Sequence, residues 1–165
     1  MAWRLSMDKE FIEIFNLYKN DIYRLAFSYT KNFADSDDIT QNVFVKFYNK
    51  FNSFSNKDYI KKWLIKVTVN ECKTLFLSAW KRKILPFTEK EENIIYQENA
   101  RNDLLKNVFE LPKKYRIVVY LYYYEDYKIK EISELLNITE SSIQTQLLRA
   151  REKLREILKE DFNYE

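Results

Sequence analysis

Residues 128–158 read KIKEISELLNITESSIQTQLLRAREKLREIL, and their apolar spacing decides the fold. Ile129, Ile132, Leu135 and Leu136 share one face of a short helix. Asn137-Ile138-Thr139 supplies a turn, after which Ile143, Leu147, Ala150, Leu154 and Ile157 recur at steps of four, three, four and three. Two amphipathic helices joined this closely form a helix-turn-helix, in which the first braces the second and the second enters a DNA major groove. The turn needs a residue that tolerates a left-handed backbone, and in a chain without glycine Asn137 is placed to serve. Thr139 is positioned to cap the second helix, and Ile138 and Ile143 are spaced as a hydrophobic staple.

The outward face of that second helix carries Ser141, Ser142, Gln144, Thr145, Gln146, Arg149 and Lys153. Glutamine reads adenine with two hydrogen bonds, and serine or threonine reaches bases or phosphates. Arg149, Arg151 and Lys153 are candidate phosphate anchors. The plain alternative is a helical hairpin with a solvated polar face.

Outward from this segment the periodicity stays helical. A helix is predicted from Lys113, with the aromatic run Tyr120–Tyr124 packed in a small core, and a shorter one over residues 102–110 ends before Leu111-Pro112. Residues 86–99 are acidic, open with Pro86 and have weak periodicity, which reads as an interdomain linker. Nearer the N-terminus, Asp8 is a candidate cap for a helix reaching Thr30 through Phe11, Ile14, Phe15, Tyr18, Ile22, Leu25, Ala26 and Tyr29. Asp35, Ser36, Asp37 and Asp38 open the next helix, where acidic groups and a capping hydroxyl suit its positive end. Its stripe is Ile39, Val43, Phe44, Phe47, Tyr48 and Phe51, and residues 52–56 form a loop. A third helix over residues 58–81 should bury Trp63, Leu64, Val67, Leu75 and Phe76.

The expected fold is all-α, with two small helical domains joined by a linker, the second containing the helix-turn-helix. The domains are placed at residues 8–85 and 101–160, around an acidic linker at 86–100. At about 80 residues or fewer, each core depends on large aromatics for its buried area. Met7 is a candidate native start, because residues 1–6 add little to the pattern.

Composition narrows the function. With 46% apolar and 32% charged residues the chain is too apolar to be disordered and too charged to sit in a membrane. No stretch resembles a spanning helix or a cleaved leader, so membrane insertion is not expected and the location expected is cytoplasmic. Absence of glycine excludes both glycine-built phosphate cradles, and absence of histidine removes the usual neutral-pH base and the commonest zinc ligand. The one cysteine, Cys72, supports neither a disulfide nor a cysteine metal site. No catalytic residue, metal or cofactor is expected, and the protein reads as a non-enzyme. The net charge of +3 hides an uneven distribution: residues 1–85 hold 15 Lys/Arg against 9 Asp/Glu, residues 86–111 hold 3 against 6, and the remainder is balanced. A basic N-terminal half is a candidate polyanion surface.

Two motifs carry a family resemblance. Ser36-Asp37-Asp38-Ile39-Thr40-Gln41-Asn42-Val43-Phe44, with Trp63-Leu64 and Asn70 downstream, is similar to the region-two pattern of the small extracytoplasmic-function (ECF) sigma factors of bacterial RNA polymerase. Leu111-Pro112, Arg116, Ile143 and Leu147-Leu148-Arg149-Ala150-Arg151 resemble that group's region-four pattern. The resemblance covers residues 10–83 and 101–158 in the right order. It implies binding to bacterial core RNA polymerase through Asp38, Gln41, Asn42 and Phe44. It also implies melting and capture of the minus-ten element by the loop around residues 51–59, with Phe54, Tyr59, Asn70, Lys73, Lys81, Arg82 and Lys83 along the strand. Phe54, Trp63 and Phe44 have a competing reading as core residues. The region-four helix would read the minus-thirty-five element as duplex, and an anti-sigma factor is a further conceivable partner. Two departures stand out. Gln41-Asn42 replaces the usual Gln-Glu, and Ser141-Ser142-Ile143-Gln144-Thr145-Gln146 puts two glutamines where the family often has cations. Weak binding by the second domain and a preference for an A-rich element follow. The rivals are a helix-turn-helix regulator that binds duplex DNA without polymerase, and an interaction module that has lost DNA binding.

Overall fold

The computed structural model describes residues 2–56, 58–81 and 103–162, and every regular element among them is helical. The chain divides into two compact units, Met1–Phe87 and Thr88–Glu165. The expected linker at 86–100 lies outside the described residues.

The first unit holds helices α1 (Ala2–Thr30), α2 (Phe33–Lys50) and α3 (Asp58–Lys81), with one 3₁₀ turn, Phe51–Ser53, after α2. Helix α1 runs through Asp8 instead of being capped there, because residues 2–7 contain neither proline nor glycine to stop it. It ends where Lys31 turns left-handed at φ 48°. Asn32, and not Ser36, then caps α2: its side chain accepts from the Asp35 N–H at 2.9 Å. Ser36 lies one turn further in and is fully buried, its hydroxyl 2.6 Å from the Asn32 carbonyl and 2.8 Å from the Thr30 hydroxyl. The cap falls earlier because the helix begins at Phe33, whose ring stacks on Phe27 at 5.3 Å.

Aromatic side chains fill this core, as a thin domain requires. Phe47 is fully buried, with ring centroids of Phe11, Phe51, Phe54 and Trp63 within 5.4 to 6.1 Å of its own. Helix α3 packs on both α1 and α2. Its buried stripe is therefore broad, made of Ile60, Leu64, Ile65, Thr68, Val69 and Cys72. Of the residues expected inside, only Leu64 is fully buried; Trp63, Val67, Leu75 and Phe76 lie half-buried at the stripe's edges. An ion pair between Lys46 and Glu71 ties α2 to α3 across their outer faces.

The second unit holds α4 (Asp103–Glu110), α5 (Lys113–Val119), α6 (Ile129–Leu136) and α7 (Glu140–Phe162). Helix α5 continues into one turn of π-helix, Tyr120–Tyr124, where the Glu125 N–H reaches the Tyr120 carbonyl at 3.2 Å. Only the start of the aromatic run is inside: Tyr120 and Leu121 are buried, while Tyr123 and Tyr124 are exposed. Consecutive residues on a helical turn point in different directions, so one run cannot all face the core. Arg116 is buried and donates to the Phe109 and Leu111 carbonyls at 3.2 and 2.9 Å, closing the end of α4 onto α5. Burial lowers its pKa to about 10. Val108, Phe109, Val118, Ile132, Ile143, Leu147 and Ala150 complete this core.

Candidate nucleic-acid interface

The turn between α6 and α7 is built as its residues require. Asn137 adopts φ 59° and ψ 48°, a conformation that asparagine tolerates better than most residues. The N–H groups of Asn137 and Ile138 both reach the Ser133 carbonyl, and the Ser133 hydroxyl donates to the Ile138 carbonyl. Those bonds satisfy the end of α6. The Thr139 hydroxyl accepts from the Ser142 N–H at 3.2 Å and so caps α7.

This junction sets the rotation of α7. Ile143, Leu147 and Ala150 are buried, so Ser141, Gln144, Thr145, Arg149 and Lys153 are left exposed; Ser142 and Gln146 are half-buried. Two hydroxyls have local duties, since Ser142 shares a hydrogen with Thr139 at 2.8 Å and Thr145 donates to the Ser141 carbonyl at 2.9 Å. Ser141 and Gln144 are exposed polar side chains at the front of the helix, beside the acidic Glu140. The two arginines also reach back to α5. The Arg149 side chain hydrogen-bonds the Tyr115 hydroxyl and holds that phenol below its ordinary value. Arg151 donates from Nε to the Tyr123 hydroxyl at 2.8 Å. Sequence spacing missed Leu148, which is 55% exposed seven residues after Ser141.

A second surface runs along α3. Tyr59, Asn70 and Lys73 lie at helical repeats of one face; Tyr59 is 66% exposed, Asn70 exposed and Lys73 half-buried. Lys62 and Lys66 are exposed on the same face, and their three- and seven-residue spacing from Tyr59 was the signal that could have found them. Phe54 does not join this face: it is half-buried and meets Trp63 edge-on at 5.4 Å. Lys81 is the last residue of α3, and Arg82 and Lys83 lie outside the described residues.

A third surface is the outer face of α2. Asp38, Gln41 and Asn42 are exposed there. Phe44 is buried, its ring 4.8 Å from Phe15, so it is a core residue that positions the helix. Val45 and Tyr48 continue it beyond Gln41 and are 60% and 39% exposed; Tyr48, expected in the apolar stripe of α2, turns outward because it stands one residue past the buried Phe47. Desolvation raises the pKa of the nearby Asp35, with a further push from Asp38. Among the described residues no cluster of histidine, cysteine or carboxylate side chains could hold a metal ion, and no helix is long and apolar enough to cross a membrane.

Known proteins show the same division. The family model described as Sigma-70 region 2 matches residues 14–82, and that described as Sigma-70, region 4 matches residues 108–154. RNA polymerase sigma factor SigV of Bacillus subtilis is 31% identical, over 88% of this chain and 90% of its own length. The ECF RNA polymerase sigma factor SigW of the same organism is 26% identical, over 91% of this chain and 89% of its own. Among solved structures, the sigma factor RpoE of Bartonella quintana, crystallised with the anti-sigma factor NepR, superposes with a TM-score of 0.71 at 19% identity. That match covers 92% of this chain and 98% of RpoE.

Proposed function

The chain belongs to the sigma-70 family of RNA polymerase sigma factors, in its ECF group, and from that membership we propose how its surfaces divide the work. The protein directs core RNA polymerase to promoters and takes part in initiation, with no catalysis of its own. Residues 8–85 form the module for polymerase and the minus-ten element, residues 86–100 the acidic tether, and residues 101–160 the module for the minus-thirty-five element. Nothing among the relatives favours a regulator that works without polymerase.

Asp38, Gln41 and Asn42 present acidic and amide groups to the polymerase, and Val45 and Tyr48 add apolar area beside them. Along α3, Tyr59 offers a face for an unstacked base, while Lys62, Lys66, Asn70 and Lys73 follow the strand backbone. Base stacking on an aromatic ring is worth about 1–3 kcal/mol and offsets part of the cost of melting. The front of α7 reads duplex through Ser141 and Gln144, with Lys153 on phosphate. Two modules on one chain make the second contact intramolecular, so individually weak grips add. RpoE and CnrH were each solved with a second protein, NepR or the cytosolic domain of CnrY; an anti-sigma factor that covers these same surfaces is the corresponding partner here.

The observation that carries the reading is the junction at Asn137 and Thr139, which turns a polar face of α7 outward while its apolar face closes the core. Run-off transcription with purified core polymerase tests it. The full chain should produce transcripts from defined start sites, and Asp38→Ala/Gln41→Ala should reduce both co-purification with core enzyme and transcript yield. Tight operator binding by the chain alone, with no polymerase-dependent transcript, would overturn it.

A further inference from the structure

On α7 an apolar side chain stands in the middle of a polar reading face. Leu148 is 55% exposed. Its neighbours one turn away on the same helix are Gln144, Thr145, Arg151 and Glu152, all polar and exposed. A lone exposed leucine is ordinary on a protein surface; the location is what distinguishes this one. Ser141, Gln144, Thr145 and Leu148 sit at relative positions 0, 3, 4 and 7, which is one face of a helix and the spacing by which a recognition helix in the major groove addresses successive base pairs. The opposite face is committed to the core through Ile143, Leu147 and Ala150, so the rotation of α7 is fixed.

We propose that Leu148 is a specificity-determining residue that packs on the C5-methyl group of a thymine in the upstream promoter element. In the major groove thymine is the base that presents a methyl group, and an apolar side chain can recognise it by contact alone. Gln144 lies one turn before Leu148, about 6 Å along the helix axis. With about 3.4 Å per base pair, the two side chains address positions about two base pairs apart. Glutamine favours adenine and leucine favours thymine, so together they specify an A·T-rich element and offset the weaker grip on phosphate that uncharged Gln144 and Gln146 give. This inference rests on α7 being the helix that reads the upstream element.

The test uses the full chain with core polymerase. A promoter is first selected from a library randomised upstream of the minus-ten element, and each thymine of the selected element is then replaced singly by deoxyuridine, which removes only the methyl group. One position, within about three base pairs of an adenine whose preference is lost in Gln144→Ala, should lose about fourfold in open-complex formation, the effect of burying one methyl group. In Leu148→Ser that loss should disappear, while the preference for the Gln144 adenine persists. A selected element with no methyl-sensitive thymine, or one equally sensitive in Leu148→Ser, overturns the role of Leu148 and leaves the upstream reading intact. A library that yields no upstream preference at all overturns both.

Discussion

Arg151 and Tyr123 are joined twice: the guanidinium donates to the tyrosine hydroxyl at 2.8 Å and also lies 5.9 Å from the centre of its ring. The pair clamps α7 to the π turn that ends α5. An arginine expected to hold phosphate therefore also ties α7 to the turn that follows α5.

Tyr123→Phe keeps the ring and removes the hydrogen bond, so it should cost about 0.5–1 kcal/mol. Tyr123→Ala should cost more and also weaken promoter binding, because Arg151 loses its support. Thermal melts paired with open-complex assays check this; equal stability in both variants would show that the clamp contributes nothing.

A chain without glycine must place other residues at left-handed positions, and here these include Lys31, Asp126 and Asn137. The steric cost for an ordinary residue is about 1–2 kcal/mol. Asn137→Ala should destabilise the second unit by about 1 kcal/mol, whereas Lys31→Gly should stabilise the first by up to about 1 kcal/mol. Urea titrations that gave the opposite signs would contradict the backbone geometry.

Phe47 is the hub of the aromatic core in the first unit. Phe47→Ala should cost about 3–5 kcal/mol, comparable to all that a core of about 80 residues supplies. The helix-turn-helix has its own core and should remain folded. Circular dichroism should show partial loss of helix, and a complete loss would mean that the second unit depends on the first.

Gln146→Arg would add a cation to α7 at a half-buried position. With that cation on phosphate, the salt slope of log K for promoter binding should steepen by about 0.9. Titrations of the polymerase complex over a range of salt concentrations check it; an unchanged slope places this side chain away from phosphate.

The Tyr115 hydroxyl receives a hydrogen bond from Arg149, which holds the phenol below its ordinary value of 10.0. A phenol whose folded pKa lies below the unfolded one adds stability in full above pH 10.0, and that increment fades as pH falls through the folded value. Arg149→Gln should move Tyr115 back up and remove the alkaline increment while leaving neutral-pH stability nearly unchanged. Phenolate absorbance, read as the difference from Tyr115→Phe, follows the shift.

Legibility in the sequence tracked locality. The helix-turn-helix was readable because its signals, the stripe of residues 143–157, the left-handed Asn137 and the Thr139 cap, all lie within a few residues of one another. The register of α3 was less readable, since a helix packed on two neighbours buries a wide stripe and spacing alone does not say where its centre falls. The duties of Arg149 and Arg151 were invisible, because their partners Tyr115 and Tyr123 stand far upstream and no local pattern marks the pairing. Phe44 matched a motif, yet the motif does not say whether a side chain touches a partner or holds up the helix that does.

Cys72, the chain's single cysteine, is wholly enclosed by the first three helices. A thiol-reactive dye can reach it only when those helices part, and the second unit carries no sulfhydryl to confuse the signal. The chain thus comes with an internal clock for the opening of its first unit, and its labelling rate, with and without core polymerase, would show how far the bound enzyme slows that opening.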